Sequence, residues 1–415
     1  MDKEQIEKHI KKELLRPAEQ ASMIDLVYNI ILFGYSARAS DIHFQPKENY
    51  LLIRYRIDGI LNNIFQIPKD FQDEIVSRIK ILAGLRTDEH FASQDGRFRF
   101  YLPKEDKEKF FDIRVSIMPT YYGENIIMRL LISGGEKFVL ETLGFSQKDL
   151  IKIKSAITKP YGMILSTGPT GSGKTTMLYT ILNILNTESV HIITIEDPIE
   201  YAIEGVTQIQ VNAQTNLTFG KGLRSILRQD PDIIMVGEIR DEETAAISVN
   251  AALTGHLLLS SLHTNDAPSA AVRLMELGIE PYLITSTVNV IIGQRLVRKI
   301  CDNCKKEKIL KESEINSFLR ILPERTKQNF DKNKTVFYGE GCPKCNNSGY
   351  LGRTGIYEVL VITESIRDLI LAKANADKIK DKAIEEGMTT MLEDGFMKVL
   401  AGITTIEEVL RVTHE

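Results

Sequence analysis

Apolar and polar positions in the first third of the chain follow two different periods. Residues 1–16 carry apolar side chains at helical spacing up to Pro17, and similar patterns predict helices over about 21–37 and 70–85. Apolar and polar residues otherwise alternate in short runs, with a turn pattern at Asp58-Gly59. These runs predict strands at 41–44, 50–57, 97–101, 111–116 and 125–130. We therefore expect an α+β domain over residues 1–134.

The pattern changes at about residue 145, where short apolar runs begin to alternate with helical segments. The runs are almost continuously apolar, as in strands that are covered on both faces of a parallel sheet, and they lie at 162–166, 191–195, 232–236 and 256–262. A linker over 135–144 precedes this α/β domain, which is expected to cover 145–300. A polar module at 301–350 and a C-terminal helical region at 351–415 complete the predicted order.

Composition and charge narrow the class of protein. A chain of 415 residues with 43% hydrophobic and 26% charged residues is an ordinary globular protein of two or three domains. Its 52 basic and 56 acidic residues give a net charge of −4, so no whole-chain basic field favours nucleic acid, and no stable nucleic-acid binding is expected. The charged start, Met1 to Gln5, lacks the apolar segment of a secretory signal, which predicts a cytoplasmic location.

A glycine-rich segment after the first strand of the α/β domain predicts a phosphate-binding loop. Glycines at this spacing let backbone N–H groups close around phosphates at the start of a helix. Lys174 is expected to reach the β- and γ-phosphates, and Thr175 to bind Mg²⁺. The segment consists of Gly168, Pro169, Thr170, Gly171, Ser172, Gly173, Lys174 and Thr175. An ATP-hydrolysing protein is the resulting hypothesis.

Acidic residues follow two of the other predicted strands. Glu238 ends the apolar run that starts at Asp232, as expected of a carboxylate that positions the attacking water and the Mg²⁺ ligands. Glu196, Asp197 and Glu200 surround Pro198, at the edge where parallel sheets bind ligands. On the residues alone, an ordinary core strand and a solvated acidic turn are the alternative interpretations.

Histidines and arginines supply further candidates. His256 and His263 are seven residues apart around a strand, which places them on opposite faces and argues against a shared metal. One of them is a candidate for sensing the γ-phosphate, and a structural histidine is the alternative for either. Arginines that stabilise the transferred phosphoryl group often come from another domain or subunit. The candidates are Arg114, Arg129, Arg224, Arg228 and Arg240, for each of which a surface salt bridge is the alternative.

All four cysteines lie in the polar module, as the pairs Cys301-x-x-Cys304 and Cys342-x-x-Cys345. Four thiolates in this format suit a closed tetrahedral Zn²⁺ site that stabilises structure and has no open position for chemistry. The gap between the pairs is longer than in an ordinary zinc ribbon, and a redox C-x-x-C or unrelated cysteines are the alternatives.

Taken together, these motifs resemble the secretion-traffic ATPases of type II secretion and type IV pilus assembly, the GspE/PilB family. The resembling segments run from about residue 20 to the C-terminus. They are Ala39–His43, Ile57–Gly59, Gln94–Arg97, Gly168–Thr176, Ile195–Glu200, Leu227–Asp232, Val236–Asp241, Thr254–His256, Leu262–Asn265 and the two cysteine pairs.

The resemblance implies a RecA-like P-loop ATPase domain, an N-terminal α+β PAS-like domain and a four-cysteine zinc insertion. It implies ATP, Mg²⁺ and Zn²⁺ as ligands, a homo-hexamer, and an inner-membrane platform protein as the partner at the inner face of the membrane. Glu196 to Glu200 match the family's aspartate box, Glu238 its Walker B acid, and His256 and His263 its histidine box. The family's arginine positions match Arg114, Arg129, Arg224, Arg228, Arg240 and Arg353.

The function implied is a hexameric motor whose ATP hydrolysis drives pilus assembly or protein secretion. The four-cysteine insertion favours assembly or secretion over retraction, because retraction ATPases of the superfamily typically lack it. A DNA-uptake ATPase of a competence pseudopilus, a zinc-ribbon nucleic-acid-binding ATPase and a scaffold that binds ATP without hydrolysing it are the alternatives.

Overall fold

A computed structural model describes residues 3–103, 109–132, 139–312, 320, 327 and 335–413. The predicted linker over 135–144 lies partly outside these residues, as does much of the long segment that joins the two cysteine pairs. The chain forms two compact units, Met1–Glu136 and Lys137–Glu415. The finer domain boundaries proposed from the sequence stay a prediction.

The described part of the first unit is a six-stranded antiparallel sheet in the order β3-β2-β1-β6-β5-β4 with three α-helices. The helices predicted near 1–16, 21–37 and 70–85 are present, and their apolar faces pack in one core with the sheet. The strands are β1 Ala39–Pro46, β2 Tyr50–Ile57, β3 Ile60–Pro68, β4 Gln94–Tyr101, β5 Phe110–Thr120 and β6 Gly123–Leu131; the helices are α1 Lys3–Leu14, α2 Met23–Ser36 and α3 Gln72–Ala83. The comparison with PAS domains stays a prediction.

The second unit is built on a seven-stranded sheet in the order β15-β12-β7-β11-β10-β8-β9. Strands β12 to β9 in this order are parallel, as predicted, and β15 is antiparallel at the edge. The strands are β7 Gly162–Thr167, β8 Ile192–Glu196, β9 Thr207–Gln210, β10 Ile233–Val236, β11 Leu257–Leu262, β12 Val288–Ile300 and β15 Tyr350–Val361. A separate hairpin, β13 Lys305–Ile309 and β14 Thr335–Gly339, lies in the cysteine module.

Helices cover this sheet, and two apolar clusters form cores that include its buried strands. Strand β7 is buried along its whole length, which explains its apolar run Met163–Leu165. The helices are α4 Gln147–Ile157, α5 Lys174–Leu185, α6 Phe219–Ile226, α7 Glu242–Leu253, α8 Ala267–Glu276, α9 Pro281–Thr287, α10 Glu364–Leu371, α11 Ala376–Glu385, α12 Met391–Leu400 and α13 Ile406–Thr413. Strands β12 and β15 were not predicted. The expectation of a helical region over 351–415 is wrong for residues 351–361, because they pair with β12 as part of the edge strand.

A buried ion pair in the first unit fixes the loop after α3. Lys80 is fully buried, and its Nζ lies 2.7 Å from Oε1 of Glu124, which is 7% exposed. The same ammonium donates to the backbone oxygen of Glu89 at 2.5 Å, and His90 Nδ1 lies 2.8 Å from Glu124 Oε2. Strand β6 and the loop around Glu89 are therefore joined through one lysine.

Lys80→Met should lower the free energy of unfolding of the first unit by about 3–5 kcal/mol, because it leaves the Glu124 carboxylate buried without its cation. Urea unfolding followed by circular dichroism measures the change. Lys11→Met is the matched control: it breaks an exposed ion pair with Glu7 and should cost less than about 1 kcal/mol. Equal losses in the two variants would contradict a stabilising role for the buried pair.

Candidate active site

The strand register of the second unit brings four loops to one edge of the sheet. Thr167 at the end of β7 pairs with Leu262 of β11, and Val236 at the end of β10 pairs with both Ser260 of β11 and Ile195 of β8. The segments that follow these strands therefore leave the sheet at its carboxyl edge, where open α/β sheets bind ligands. They are residues 168–173, 263–266, 237–241 and 197–200.

The glycine-rich segment forms a tight loop between β7 and α5. Gly168, Gly171 and Gly173 have φ values of +145°, +79° and +92°, a region that residues with a Cβ seldom occupy. The predicted phosphate-binding residues occupy this loop and the first turn of α5, which begins at Lys174: Gly168, Pro169, Thr170, Gly171, Ser172, Gly173, Lys174, Thr175 and Thr176. The free backbone N–H groups of that first turn make the loop a site for an anion.

The side chain of Gln294 on β12 holds the glycine-rich loop through hydrogen bonds. Its Nε2 donates to the backbone oxygen of Ser172 at 2.8 Å, and Ser166 Oγ donates to its Oε1 at 3.4 Å. A Cβ at Gly168 would lie 2.5 Å from the backbone oxygen of Gln294, so glycine is required by close packing as well as by φ. The sequence analysis gave no indication of Gln294, because it lies on a strand more than a hundred residues later that was not predicted.

The ammonium group of Lys174 points into its own loop. Its Nζ donates to the backbone oxygens of Gly168 at 2.6 Å and Pro169 at 3.1 Å. Burial lowers the pKa of Lys174 to about 8, with the negative charge of Glu238 opposing this shift and the positive charge of Arg295 adding to it. A negatively charged ligand would favour the charged form of this lysine.

Glu238 is the acidic residue that the structure places near Lys174. Its side chain follows β10 and is mostly buried, with 8% of the residue exposed. Its Oε2 lies 2.6 Å from Nε of Arg240 and 3.0 Å from Nε2 of His263. The structure therefore brings Glu238 and Arg240 of one motif together with His263 of another, where the charge of Glu238 also acts on Lys174.

Two threonines join the glycine-rich loop to the loop that carries His263. Thr167 Oγ1 donates to the backbone oxygen of Thr264 at 2.7 Å and accepts from its amide at 3.2 Å, and the two hydroxyl groups are also hydrogen-bonded. Neither threonine was a candidate in the sequence. The signal that could have found them is their position, since Thr167 ends β7 and Thr264 lies two residues after the end of β11, at the ligand-binding edge.

The acidic turn at 196–200 divides into a buried and an exposed part. Glu196 is 3% exposed, and its carboxylate accepts hydrogen bonds from Thr194 at 2.6 Å, Gln208 at 3.1 Å and the hydroxyl of Tyr179. Burial raises the pKa of Glu196, and these three donors partly oppose the shift. Asp197 is exposed and Glu200 is partly exposed, so these two carboxylates are the accessible ones of the turn.

Three other candidates lie elsewhere on the second unit. His256 precedes β11 and is thus at the amino end of the strand, opposite to His263, with its Nδ1 2.9 Å from the backbone oxygen of Ala251. Arg224 pairs with Glu243 of α7 at 2.6 Å. Arg228 bonds the backbone oxygen of Arg224 at 2.9 Å and Ser225 Oγ at 3.2 Å. The hydrogen bonds of these residues hold them to α6 and α7.

Arg114 and Arg129 lie side by side on an exposed face of the first unit. They are register partners on β5 and β6, and Arg97 on β4 pairs with Arg114 in the same row. The row continues on β1 with Asp41, whose Oδ1 accepts from Arg129 Nε at 3.1 Å. Exposed guanidinium groups at adjacent positions form a positively charged strip across the sheet.

The four cysteines converge although their sequence separation is large. Their sulfur atoms all lie within 4.8 Å of one another, with Cys301–Cys342 and Cys304–Cys345 distances of 3.8 Å and a Cys342–Cys345 distance of 3.7 Å. A tetrahedron with Zn–S bonds of about 2.3 Å has S···S edges of about 3.8 Å. The geometry therefore fits a tetrahedral thiolate metal site.

Hydrogen bonds and charge around the sulfur atoms support the same interpretation. Asn303 Nδ2 donates to Cys342 Sγ at 3.3 Å, and this bond holds the pKa of the Cys342 thiol at about 6. Burial raises the pKa of Cys304 to about 12. Four adjacent thiols cannot all ionise without a cation, so a bound metal ion is the partner that would balance them.

Among the residues that the structure describes, no helix has both the length and the apolar character needed to cross a bilayer.

Comparison with known proteins places these motifs in a family. The type IV pilus assembly ATPase PilB of Myxococcus xanthus is 43% identical over 400 residues, which are 96% of this chain and 69% of that protein. The type II secretion system protein E of Xanthomonas campestris pv. campestris is 46% identical over 400 residues, 96% of this chain and 68% of that protein. The crystal structure of the pilus retraction motor PilT with bound ADP superposes with a TM-score of 0.61 at 26% identity, over 94% of this chain and 97% of that chain.

 The ATPase DotB of Legionella pneumophila shares the fold, with a TM-score of 0.66 at 22% identity over 93% of this chain and 94% of that chain.

The sequence pattern of one family covers almost the whole chain. The family described as "Type II/IV secretion system protein" matches residues 16–411, a range that includes the glycine-rich loop, Glu238, both histidines and all four cysteines. The resemblance to the GspE/PilB proteins and the predicted P-loop α/β fold are therefore confirmed. This chain belongs to the type II/IV secretion system protein family.

Proposed function

We propose that this chain is an ATPase motor that hydrolyses ATP to ADP and phosphate and thereby drives type IV pilus assembly or type II protein secretion. The observation that carries the proposal is the contact of Glu238 with Arg240 and His263 at the carboxyl edge of the parallel sheet, where its charge also acts on Lys174 of the glycine-rich loop. Relatives named for pilus assembly and for type II secretion support both pathways, and a related motor has ADP bound.

The residues of the loop suit a nucleotide triphosphate with Mg²⁺. The backbone N–H groups of the loop and of the first turn of α5 would bind phosphate oxygens, and Lys174 would exchange its bonds to Gly168 and Pro169 for bonds to phosphate. Thr175 is the expected magnesium ligand, and a bound Mg²⁺ would neutralise charge that develops on the phosphates.

Glu238 is the best candidate for orienting the attacking water. Its side chain is buried, and its Oε2 is shared by two exposed basic partners, Arg240 and His263. Glu200 is the accessible alternative in the acidic turn, where Glu196 is already bound by three protein donors. We propose that His263 reports the state of the γ-phosphate to Glu238 through this shared oxygen.

The proposal also includes roles for the candidate arginines and for partner proteins. Arg114 and Arg129 are proposed to stabilise the transferred phosphoryl group, and their exposed neighbouring positions on β5 and β6 support this role. A homo-hexamer, an inner-membrane platform protein and a peripheral position on the inner face of the cytoplasmic membrane are expected from the family. The remaining candidates, His256, Arg224 and Arg228, are proposed to act at the nucleotide only in such an assembly.

We propose that the four cysteines hold a structural Zn²⁺. The tetrahedral spacing of the sulfur atoms supports this ion, and four thiolate ligands leave no position for substrate. The bound ion would join the cysteine pair after β12 to the cysteine pair before β15. It would thus hold together the two ends of the long segment between the pairs.

Two variants test hydrolysis in the full-length chain with ATP and Mg²⁺. Lys174→Ala should abolish turnover, because the triphosphate loses its main cation, and Glu238→Gln should bind ADP normally but hydrolyse ATP at least about a hundredfold more slowly. Phosphate release measures turnover, and calorimetry measures ADP binding. Lys382→Ala, which breaks an exposed ion pair on α11, is the control. Wild-type turnover in Lys174→Ala would sink the site assignment.

The pKa of Lys174 predicts how ADP binding depends on pH. Bound phosphates favour the ammonium form, so binding raises a pKa that is about 8 in the free chain. The dissociation constant of ADP should stay constant below about pH 8 and then rise by up to about tenfold per pH unit. Titrations between pH 7 and 9.5 measure this slope, which Lys174→Ala should remove. A wild-type profile that is flat above pH 8 would contradict the prediction.

Metal analysis tests the cysteine site separately from hydrolysis. The native chain should contain one zinc per chain, and Cys345→Ser should lose it and show a lower melting temperature, because zinc binding contributes to folding. Elemental analysis and thermal unfolding are the measurements, and ADP binding by the glycine-rich loop is the control for an intact second unit. A native protein with four free thiols and no zinc would rule out the site.

A further inference from the structure

Glu358 is a buried carboxylate that has no part in the proposed phosphate or magnesium chemistry. It lies on the edge strand β15 and is 1% exposed. Its register partner on β12 is Gly293, which has no side chain to occupy the space. A Cβ at Gly293 would lie 2.8 Å from Glu358 Cγ and 3.2 Å from the amide of Ala267, so this glycine leaves the room in which the two groups meet.

The carboxylate of Glu358 accepts from the first residues of two helices. Its Oε1 accepts from the amide of Ala267, the first residue of α8, at 2.7 Å. Its Oε2 accepts from the amide of Met391, the first residue of α12, at 3.4 Å. Helix N-termini have unpaired N–H donors and a positive dipole end, so one negative group here accepts from one amide of each helix.

The loop before α8 leads directly to the candidate active site. It begins at His263, which contacts Glu238, and continues with Thr264, which is bonded to Thr167 at the start of the glycine-rich loop. It ends at Asp266, the N-cap of α8, next to the amide that Glu358 holds. Glu358 therefore fixes one end of a segment of four residues whose other end contacts the proposed water-positioning acid.

The surroundings of Glu358 disfavour a charged carboxylate, so stability alone does not explain why an acid occupies this position. Burial raises its pKa to about 7; the amide of Ala267 opposes this shift, Asp266 adds to it, and Lys380 of α11 opposes it. An apolar residue of the same size would fill the position without the cost of desolvation. A strongly perturbed buried acid close to an active site is a candidate for a functional role.

We propose that Glu358 is a positioning residue that holds the loop 263–266 in place, so that His263 stays on Glu238, and that couples this loop to helix α12. The role in turnover rests on the proposed ATPase function, while the hold on the loop does not. A shift of α12 would reach the site through a single carboxylate, because Glu358 is hydrogen-bonded to both helices.

Steady-state ATP hydrolysis by the full-length chain tests the role in turnover. Glu358→Met fills the same space but has no acceptor, and it should lower kcat by about tenfold to a hundredfold with KM changed less than about threefold, because a small displacement of a catalytic group is costly while the phosphate loop is untouched. Glu358→Gln keeps an oxygen for the amide of Ala267 and should recover most of kcat. Unchanged kcat in Glu358→Met, or equal losses in both variants, would overturn the proposal.

Hydrogen exchange in the same variants tests the hold on the loop without ATP. The amides of Thr264 to Ala267 should exchange faster in Glu358→Met than in the wild type or Glu358→Gln. Glu408→Met is the matched control, because Glu408 is also buried and accepts the backbone amide of Arg298, but on α13 and away from this loop. Unchanged exchange in Glu358→Met would overturn the positioning role, as would the same loss of kcat in Glu408→Met. A wild-type chain with no hydrolysis would instead defeat the proposed function.

Discussion

The register of the parallel sheet is the constraint on which the candidate site depends. Pairing of Thr167 with Leu262, and of Val236 with Ser260, makes β7, β10 and β11 end at the same edge. A shift of one residue would turn every side chain of a strand to the other face and displace the loop that follows it. Buried apolar side chains on both faces specify the register, so the core determines where Glu238 and His263 lie.

Glu196 and Glu238 are buried glutamates at the ends of neighbouring strands, and their different surroundings favour different roles. Glu196 receives hydrogen bonds from neutral groups of Tyr179, Thr194 and Gln208, which satisfy it within the protein. Glu238 instead contacts Arg240 and His263, which are 63% and 45% exposed in their side chains. Exposed basic partners can rearrange when a ligand binds, whereas a satisfied internal network resists change. The difference favours Glu238 as the reactive acid, and it is visible only in three dimensions.

The sequence predicted those parts of the site in which residues close together in the chain determine the role of the segment. The spacing of Gly168, Gly171 and Gly173 before Lys174 has few uses other than a phosphate-binding loop, and the apolar runs placed β7, β8, β10 and β11 correctly. Gln294 and Glu358 were not predicted, because their roles depend on pairing between β12 and β15 and on contacts with residues far away in the chain. The alternation of buried and exposed positions along a strand shows on which face a side chain lies. It does not show which distant backbone group that side chain contacts.

The central position of β7 has a consequence for the order in which the chain acquires its structure. Both neighbours of β7, namely β11 and β12, follow it in sequence by about ninety residues or more, and β15 joins the sheet later still. During synthesis, the glycine-rich loop therefore leaves the ribosome well before the strands that support it. Contacts of such long range are slow to form and leave apolar strands exposed in the meantime. The nucleotide site is thus expected to mature late in folding, and nascent chains that end before β12 are the forms most in need of chaperones.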